Sequence, residues 1–390
     1  MKVTVITVPG DLKLPPAEFP HDPLRCIAEI IAEGGQVKFL DNYAWRAAMD
    51  VVGDDIRRNT PELILMWGPL ESLRNIRRYA DAAKDACPVL IVGDHWKYIP
   101  WVELPFPRLL GAPESILGNV LTRGDYKFKQ KTGRAYGVNR LPYAPYNWLS
   151  LDPYPPGIPY GPQAEQWKLR LDVEADRLGK PFSAKYLVEL VKYLRIRHGM
   201  DGVRFIGNLV DEPKRAVEFC SLMRTSDLCL ALSWICDIDY HAIEYGRMQR
   251  MKDNNCVGVR LPIKNVDVFT SDYERKALEA AVNVGKVLDI PVFVEFKVGY
   301  PSDSIEAYRA AVEFTRITEI ECRPIIATPQ DLLENLKLSP QRKKQLWNHI
   351  GRVPSLNMSP WRTPTFLGLR ELMAREDLDE LNMVSSKRRG

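Results

Sequence analysis

The residues of this 390-residue chain that carry recognisable chemistry lie in four short runs. In WKLRLDVEA and the Asp176 that follows it, Lys168, Arg170, Asp172, Glu174 and Asp176 share one parity, while Leu169, Leu171, Val173 and Ala175 share the other. The same alternation sets Arg204 with Asn208, Arg260 with Lys264, and Glu295 with Lys297 in later apolar runs. Successive side chains of a strand point to opposite faces, so each set lands on one side of a sheet. Parallel strands covered on both faces read as near-continuous apolar sequence. These do not, so one side is apolar to seat helices and the charged side is an interior. Taking charge out of water costs several kcal/mol per ion unless it is paired or solvated. The charged interior is therefore expected to be a site for a polar small molecule or a self-paired structural network. Asp172, Glu174, Arg260, Glu295 and Lys297 are the candidate catalytic groups.

Competing motifs are absent from the sequence. There is no Gly-x-x-x-x-Gly-Lys-Ser/Thr, no His-Glu-x-x-His and no Cys-x-x-Cys. Seven cysteines, an odd number scattered over a long chain, predict reduced and mostly buried thiols rather than a disulfide framework. No metal site is expected. His241 and Glu244 fall on a predicted surface helix.

The elements that must position these residues form two β/α alternations. The first runs through Lys2–Val8, the helix HDPLRCIAEIIAEGG with Leu24, Ile27, Ala28 and Ile31 on one face, VKFLD, a helix from Ala47 to Arg58, ELILMWG, a helix from Leu73 to Ala86, VLIVGD and PRLLG. Short apolar runs separated by amphipathic helices imply parallel strands with right-handed crossovers, hence a doubly wound, Rossmann-like sheet. LPYAPYNWLSLDPYPPGIPYGP then packs seven prolines into 22 residues, an extended connector whose tyrosines are expected to pack on something. Alternation resumes with WKLRLDVEA, VRFIG, LCLALSWIC, VGVRLPI, VFVEFKVG and RPIIAT as strands. Six strands at this spacing predict a partial (β/α)6 barrel of the TIM type. A helical C-terminal segment follows. The expected domains are 1–125, a connector at 126–163, a barrel at 164–330 and an extension at 331–390.

A net charge of +4 from 54 basic and 50 acidic residues is too balanced to argue for a nucleic-acid partner. No apolar run reaches the roughly 18 residues of a membrane span, so no membrane partner is expected. The N-terminus runs straight into a strand without a signal-peptide pattern, and a cytoplasmic location is the default expectation.

VFVEFKVGYPSDSIEAYRAAVEFTRI resembles the fifth strand and following helix of radical S-adenosylmethionine enzymes, with Gly299, Pro301, Asp303 and Ser304 at the Gly-x-Pro and helix-opening positions. MKDNNCVGVRLPIKN resembles the family's helix–Gly-Cys–strand segment, and VRFIGNLVDEPKRAVEFCSLM its second strand, loop and helix. With a doubly wound domain and a connector in front, the chain is similar in order and spacing to the cobalamin-dependent members, from residue 1 to about 330. It departs from them where the family holds three cysteines as C-x3-C-x2-C after the first barrel strand: LRLDVEADRLGKPFSAKY has none. Cys229, Ser233 and Cys236 match that spacing, but in a strand, where alternation sends Cys236 to the face opposite the other two. Leu261 to Asn265 lacks the Glu-Ser pair, and Asp237 stands near the end of the third strand where an arginine is usual.

The resemblance implies a cobalamin site beyond the carboxyl ends of the first strands, where open α/β sheets bind ligands. Those ends carry Pro9, then Trp67 and Gly68, then Gly93, Asp94 and His95, then Gly111 and Glu114. Trp67 and Trp96 are placed to flank a flat macrocycle, or alternatively to pack on the connector. The family's lower-face Asp-x-His-x-x-Gly is absent. The expectation is thus a cluster-less relative of cobalamin-dependent radical S-adenosylmethionine enzymes, with cobalamin as cofactor and no iron–sulfur cluster on this chain. It would act as a binding or regulatory subunit beside an active partner enzyme. The alternative is an enzyme of cobalamin- or S-adenosylmethionine-assisted methyl transfer with its small-molecule ligand in the charged interior.

Overall fold

The structure is a computed structural model. It describes residues 1–10, 20–83, 87–93, 108–109, 143, 145–148, 170–177, 180–298, 303–320, 322–326 and 341. The described residues fall in two compact units, one of residues within 1–157 together with residue 341 and one within 158–328.

The first unit is built on five parallel strands: β1 (Lys2–Thr7), β2 (Gln36–Asp41), β3 (Leu63–Trp67), β4 (Val89–Val92) and β5 (Arg108–Leu109). Their order, β2-β1-β3-β4-β5, is the flavodoxin-type doubly wound order, with its switch point between β1 and β3. Four helices are described with them: α1 (His21–Ala32), α2 (Asn42–Trp45), α3 (Met49–Asn59) and α4 (Leu73–Ala83). Ile6, Ile64 and Met66 pack with Val52 and Ile56 of α3 and Ile76 of α4. In α1 it is Ile30, fully buried, that joins Leu24 and Ile27 in the core, while Ile31, expected on that face, is 45% exposed. The connector does pack where it is described. Tyr146 is buried, its ring edge-on to His21 at 6.2 Å.

The second unit holds β6 (Arg170–Glu174), the hairpin strands β7 (Asp176–Arg177) and β8 (Lys180–Pro181), then β9 (Gly202–Ile206), β10 (Ser233–Asp237), β11 (Cys256–Ile263), β12 (Val292–Val298) and β13 (Cys322–Ile326). Apart from the antiparallel hairpin, these form a six-stranded parallel sheet in sequential order, β6-β9-β10-β11-β12-β13. Its helices are α5 (Ala184–His198), α6 (Pro213–Thr225), α7 (Leu228–Ala231), α8 (Tyr245–Lys252), α9 (Asp272–Leu288) and α10 (Ile305–Thr318). One sheet face is apolar. There Phe205, Phe219 and Trp234 meet edge to face at 5.3–6.1 Å, and Phe269 and Phe296 do so at 5.2 Å. Trp234 satisfies its buried indole N–H on Asn254 O at 2.7 Å.

Three sequence expectations change here. LCLALSWIC is not one strand: Leu228–Ala231 coils into α7, and β10 begins at Ser233. The predicted surface helix carrying His241 and Glu244 is not one helix: Tyr240–Ala242 is a 3-10 turn and α8 starts at Tyr245. Asp176 does not continue β6; Ala175 breaks the strand and Asp176 opens the hairpin.

Candidate functional site

The second sheet's other face carries the charge, and the strand register decides who meets whom. Asp172 of β6 and Arg204 of β9 are direct partners, and Arg204 Nη2 donates to Asp172 Oδ2. Asp237 and Arg260 are likewise register partners on β10 and β11. Arg260 binds Asp237 through two bonds, Nε to Oδ1 at 2.6 Å and Nη2 to Oδ2 at 2.5 Å, and its Nη1 reaches Glu295 Oε1 on β12. All five side chains are 6–15% exposed. Two guanidiniums thus face three carboxylates in a setting where solvent screens little. Removing one partner from such a group costs more than the group contributes as a whole. Ile235, Val257 and Phe293 make a small apolar cluster of their own.

At the carboxyl ends of these strands the loops are tied to each other. Asp237 Oδ2 accepts from Gly207 N at 3.1 Å, and Asp176 Oδ2 accepts from Asn208 N at 2.9 Å. Arg215 of α6, buried, donates to Asn208 O and, at 2.7 Å, to Ala175 O. Arg247 of α8, also buried, holds Val210 O at 3.1 Å and Asp211 O at 2.8 Å. Burial pushes the Arg215 guanidinium below its ordinary value, against the pull of Asp176 and Glu212. It pushes the Asp211 carboxyl up, opposed by the bond from Asp239 N and aided by the Asp239 charge.

Of the expected catalytic groups, Asp172, Arg260 and Glu295 enter this paired array. Glu174 and Lys297 are half-buried on the same face. Lys264 and Asn208, expected on that face, lie beyond the ends of β11 and β9 and are exposed. Arg204 was legible as a member of the face but not as the partner of Asp172. Asp237 was legible only as a departure from the family pattern, yet it is the hinge of the array; a lone acid closing the apolar run Trp234–Cys236 was the signal available.

The thiols do not fit an iron–sulfur cluster. Cys236 and Cys256 are buried in mutual hydrogen-bond contact, with Cys220 beside Cys256, and Cys229 sits on α7. Among the described residues no group of three or more His, Cys, Asp or Glu is arranged to hold a metal ion. The loop after β6, where the resembled family places its cysteines, is the β7–β8 hairpin.

On the first sheet, the rim at the switch point is closely stitched. Val8 N donates to Trp67 O at 2.7 Å, Ser72 Oγ to Val8 O at 2.9 Å, and Asn75 Nδ2 to Pro9 O at 3.0 Å. A β-carbon on Gly68 would stand 2.8 Å from both Val8 O and Ser72 Cβ, so that glycine is required by the protein's own packing. Trp67 packs edge-on to Tyr43 at 5.6 Å. A cavity of about 250 Å³ opens beside this rim, lined by Ala47, Ala48, Met49, Asn75, Arg78 and Tyr79. Gly93 ends β4 at φ +137°, a backbone that favours glycine. Asp94, His95, Trp96, Gly111 and Glu114 lie outside the described residues. The described half of the rim thus offers an aromatic ring and close backbone, but no imidazole.

No family model matches the chain. An uncharacterized methyltransferase of Pyrococcus horikoshii is 21% identical over 347 residues, covering 78% of this chain and 75% of that protein. Among solved structures, the radical S-adenosylmethionine methyltransferase TsrM from Kitasatospora setae, with cobalamin and a 4Fe–4S cluster bound, superposes with a TM-score of 0.58 at 14% identity. That match covers 85% of this chain and 76% of TsrM. The cobalamin-dependent S-adenosylmethionine radical enzyme OxsB superposes with a TM-score of 0.54 at 11% identity, covering 89% of this chain and 55% of OxsB. The chain is therefore an α/β protein with the fold of the cobalamin-dependent radical S-adenosylmethionine enzymes. Its neighbours in that fold include methyltransferases. No helix among the described residues is long and apolar enough to cross a membrane.

Proposed function

We propose that this chain is a cofactor-binding relative of that enzyme class which does not start radical chemistry itself and serves as a binding or partner subunit. One observation carries the reading. Between β6 and α5, residues 175–183 contain no cysteine, and the described ends of the segment are bound up within the chain. Ala175 N donates to Ile206 O at 2.7 Å, Phe182 N to Ala175 O at 3.1 Å, and Asp176 and Ala175 O are held by Asn208 N and Arg215. A cluster loop has to present its ligands outward; here the backbone of Ala175 and Phe182 and the Asp176 carboxylate are already taken up by bonds within the chain. The internal pairing of Asp172, Arg204, Asp237, Arg260 and Glu295 supports the same reading, since a scaffold needs its buried charges neutralised. Cobalamin is the proposed ligand of the domain at 1–125, with Pro9, Trp67, Gly68, Gly93, Asp94, His95, Gly111 and Glu114 around it. The connector at 126–163, the barrel at 164–330 and the extension at 331–390 complete the proposed organisation.

A second reading, methyl transfer at the charged face, is favoured by the excess of one carboxylate over the guanidiniums there, to which a cationic methyl donor is complementary. On it, Asp172, Glu174, Arg260, Glu295 and Lys297 line the site and S-adenosylmethionine is the ligand.

The test is the visible absorption spectrum of protein produced with abundant cobalamin and purified without oxygen. Near-stoichiometric corrin bands support the proposal, and a colourless protein removes its cofactor. A broad iron–sulfur shoulder overturns the cluster-less reading. Calorimetric titration with S-adenosylmethionine separates the second reading, which requires binding that disappears when Glu295 and Lys297 become Gln and Met while the Tm holds.

A further inference from the structure

Away from the charged array, one cluster joins an imidazole, a carboxylate and a phenol. The 3-10 turn Tyr240–Ala242 follows β10 on the carboxyl side of the second sheet. Asp239 caps it, Oδ1 accepting from His241 N at 2.8 Å, while Asp239 N donates to Asp211 Oδ1 at 3.0 Å. Glu274 comes from the first turn of α9, where Ser271 Oγ accepts from Glu274 N. Ser271 and Glu274 have the spacing of a capping box, in which the glutamate folds back onto the cap. Glu274 instead reaches across to the turn. Its Oε2 accepts from Tyr240 OH at 2.6 Å and lies 2.8 Å from His241 Nε2. The Tyr240 ring is 4.2 Å from the imidazole, and Tyr273 lies near-parallel to it at 6.2 Å.

Each part constrains the next. Burial first, and then the bond to Glu274, push the Tyr240 phenol up, so it stays protonated and keeps donating. Glu274 is thereby pinned, and its Oε2 accepts from His241 Nε2–H, so that when the ring carries one proton the lone pair lies on Nδ1. A carboxylate fixing the tautomer and orientation of an imidazole is how proteins prepare a general base. The groups facing His241 are Asp239 and Tyr240 from its own segment and Tyr273 and Glu274 from α9. The imidazole is 42% exposed, open to a molecule arriving at the rim of the sheet, where parallel β/α folds hold ligands.

We propose that His241 is a proton acceptor for a ligand bearing an ionisable N–H or O–H bound at this rim, with Glu274 and Tyr240 as positioning residues. The ligand's N–H or O–H bond breaks, its electron pair stays on the ligand, the proton moves to Nδ1, and Glu274 balances the imidazolium. No oxidant or second reactant is needed, and the inference does not rest on a cofactor in either unit.

Two measurements on the full chain test it. Long-range proton–nitrogen spectra of histidine-labelled protein, with the signal assigned through His241→Gln, read the tautomer. Acylation by diethyl pyrocarbonate near pH 8, quantified residue by residue by mass spectrometry, reads whether an outside molecule reaches a basic Nδ1. The expected result is the Nε2–H tautomer and acylation of His241 that slows about tenfold in Glu274→Gln. Glu274→Asp should recover most of the rate and Tyr240→Phe should fall between. An Nδ1–H tautomer overturns the proposal, as does an acylation rate unmoved in a folded Glu274→Gln protein. Should that variant fail to fold, the wild-type tautomer together with the Tyr240→Phe rate decides.

Discussion

A β-carbon at position 207 would stand 2.3 Å from Asp176 Oδ2, so any side chain there displaces the carboxylate from its bond with Asn208 N. Gly207 has φ +87°, which turns its own N–H to Asp237 and the next one, Asn208 N–H, to Asp176. One backbone turn thus ties the hairpin after β6 to the end of β9 and to the charged array.

Gly207→Ala meets both the left-handed backbone penalty and the carboxylate. The expected loss is about 1–3 kcal/mol in urea unfolding. Adding Asp176→Ala should recover part of it by removing the clash but not the strain, and a double-mutant cycle measures that part.

Arg260→Met strands Asp237 and Glu295 in a setting that excludes water. The expected cost is about 3–5 kcal/mol. The triple variant Asp237→Asn, Arg260→Met, Glu295→Gln removes the stranded charge and should recover most of that stability. Equal instability of single and triple variants would show that the array's shape rather than its charge balance holds the face.

Asp211 gives a pH signature with a definite sign. Its carboxyl is raised by burial, so the folded state binds the proton more readily than the unfolded chain. Its favourable contribution is present below the ordinary aspartate range and is lost as pH rises through the raised value. Asp211→Asn keeps an acceptor for Asp239 N and removes the partly buried charge. It should stabilise the protein at neutral pH, with the gain shrinking on acidification. Melting curves at several pH values check this.

The thiols should divide sharply in native alkylation. Burial pushes Cys220 up to about 12 and Cys87 up to about 11, and burial beside Cys256 also raises Cys236 well above the ordinary thiol value. Cys26 and Cys322 are buried as well. Cys229, half-buried on α7, is expected to react with iodoacetamide first, and the buried thiols only in denaturant. Rapid native labelling of Cys236 or Cys256 would contradict their place in the helix–sheet layer.

Much of this was readable without coordinates. The continuous apolar runs Leu63–Met66 and Val89–Val92 announced doubly covered parallel strands, and both are buried throughout. The alternation around Asp172, Arg204, Arg260 and Glu295 announced a charged face, and all four share it. Short-range competition was less legible. Leu228–Ala231 sits in an apolar run that reads as part of the next strand, yet it coils, its Leu and Ala being good helix formers; Tyr240–Ala242 has helical spacing yet forms a capped 3-10 turn, because Asp239 offers the backbone a local acceptor. His241 consequently read as one end of a helical pair with Glu244, whereas its partner is Glu274, 33 residues on.

What the sequence alone determined about this protein is which residues share a face, since a two-residue period is a local property of extended backbone. Which of them pair was decided only between strands. Opposite Trp234 stands Cys256, but opposite Ile235 stands Gly258: a bulge at Val257 adds one residue to β11. Without it the same count would bring Val259 rather than Arg260 against Asp237, and the array would not form. Parity is set within one strand, whereas register is set by how two strands, their connecting helix and the packing beneath them fit together.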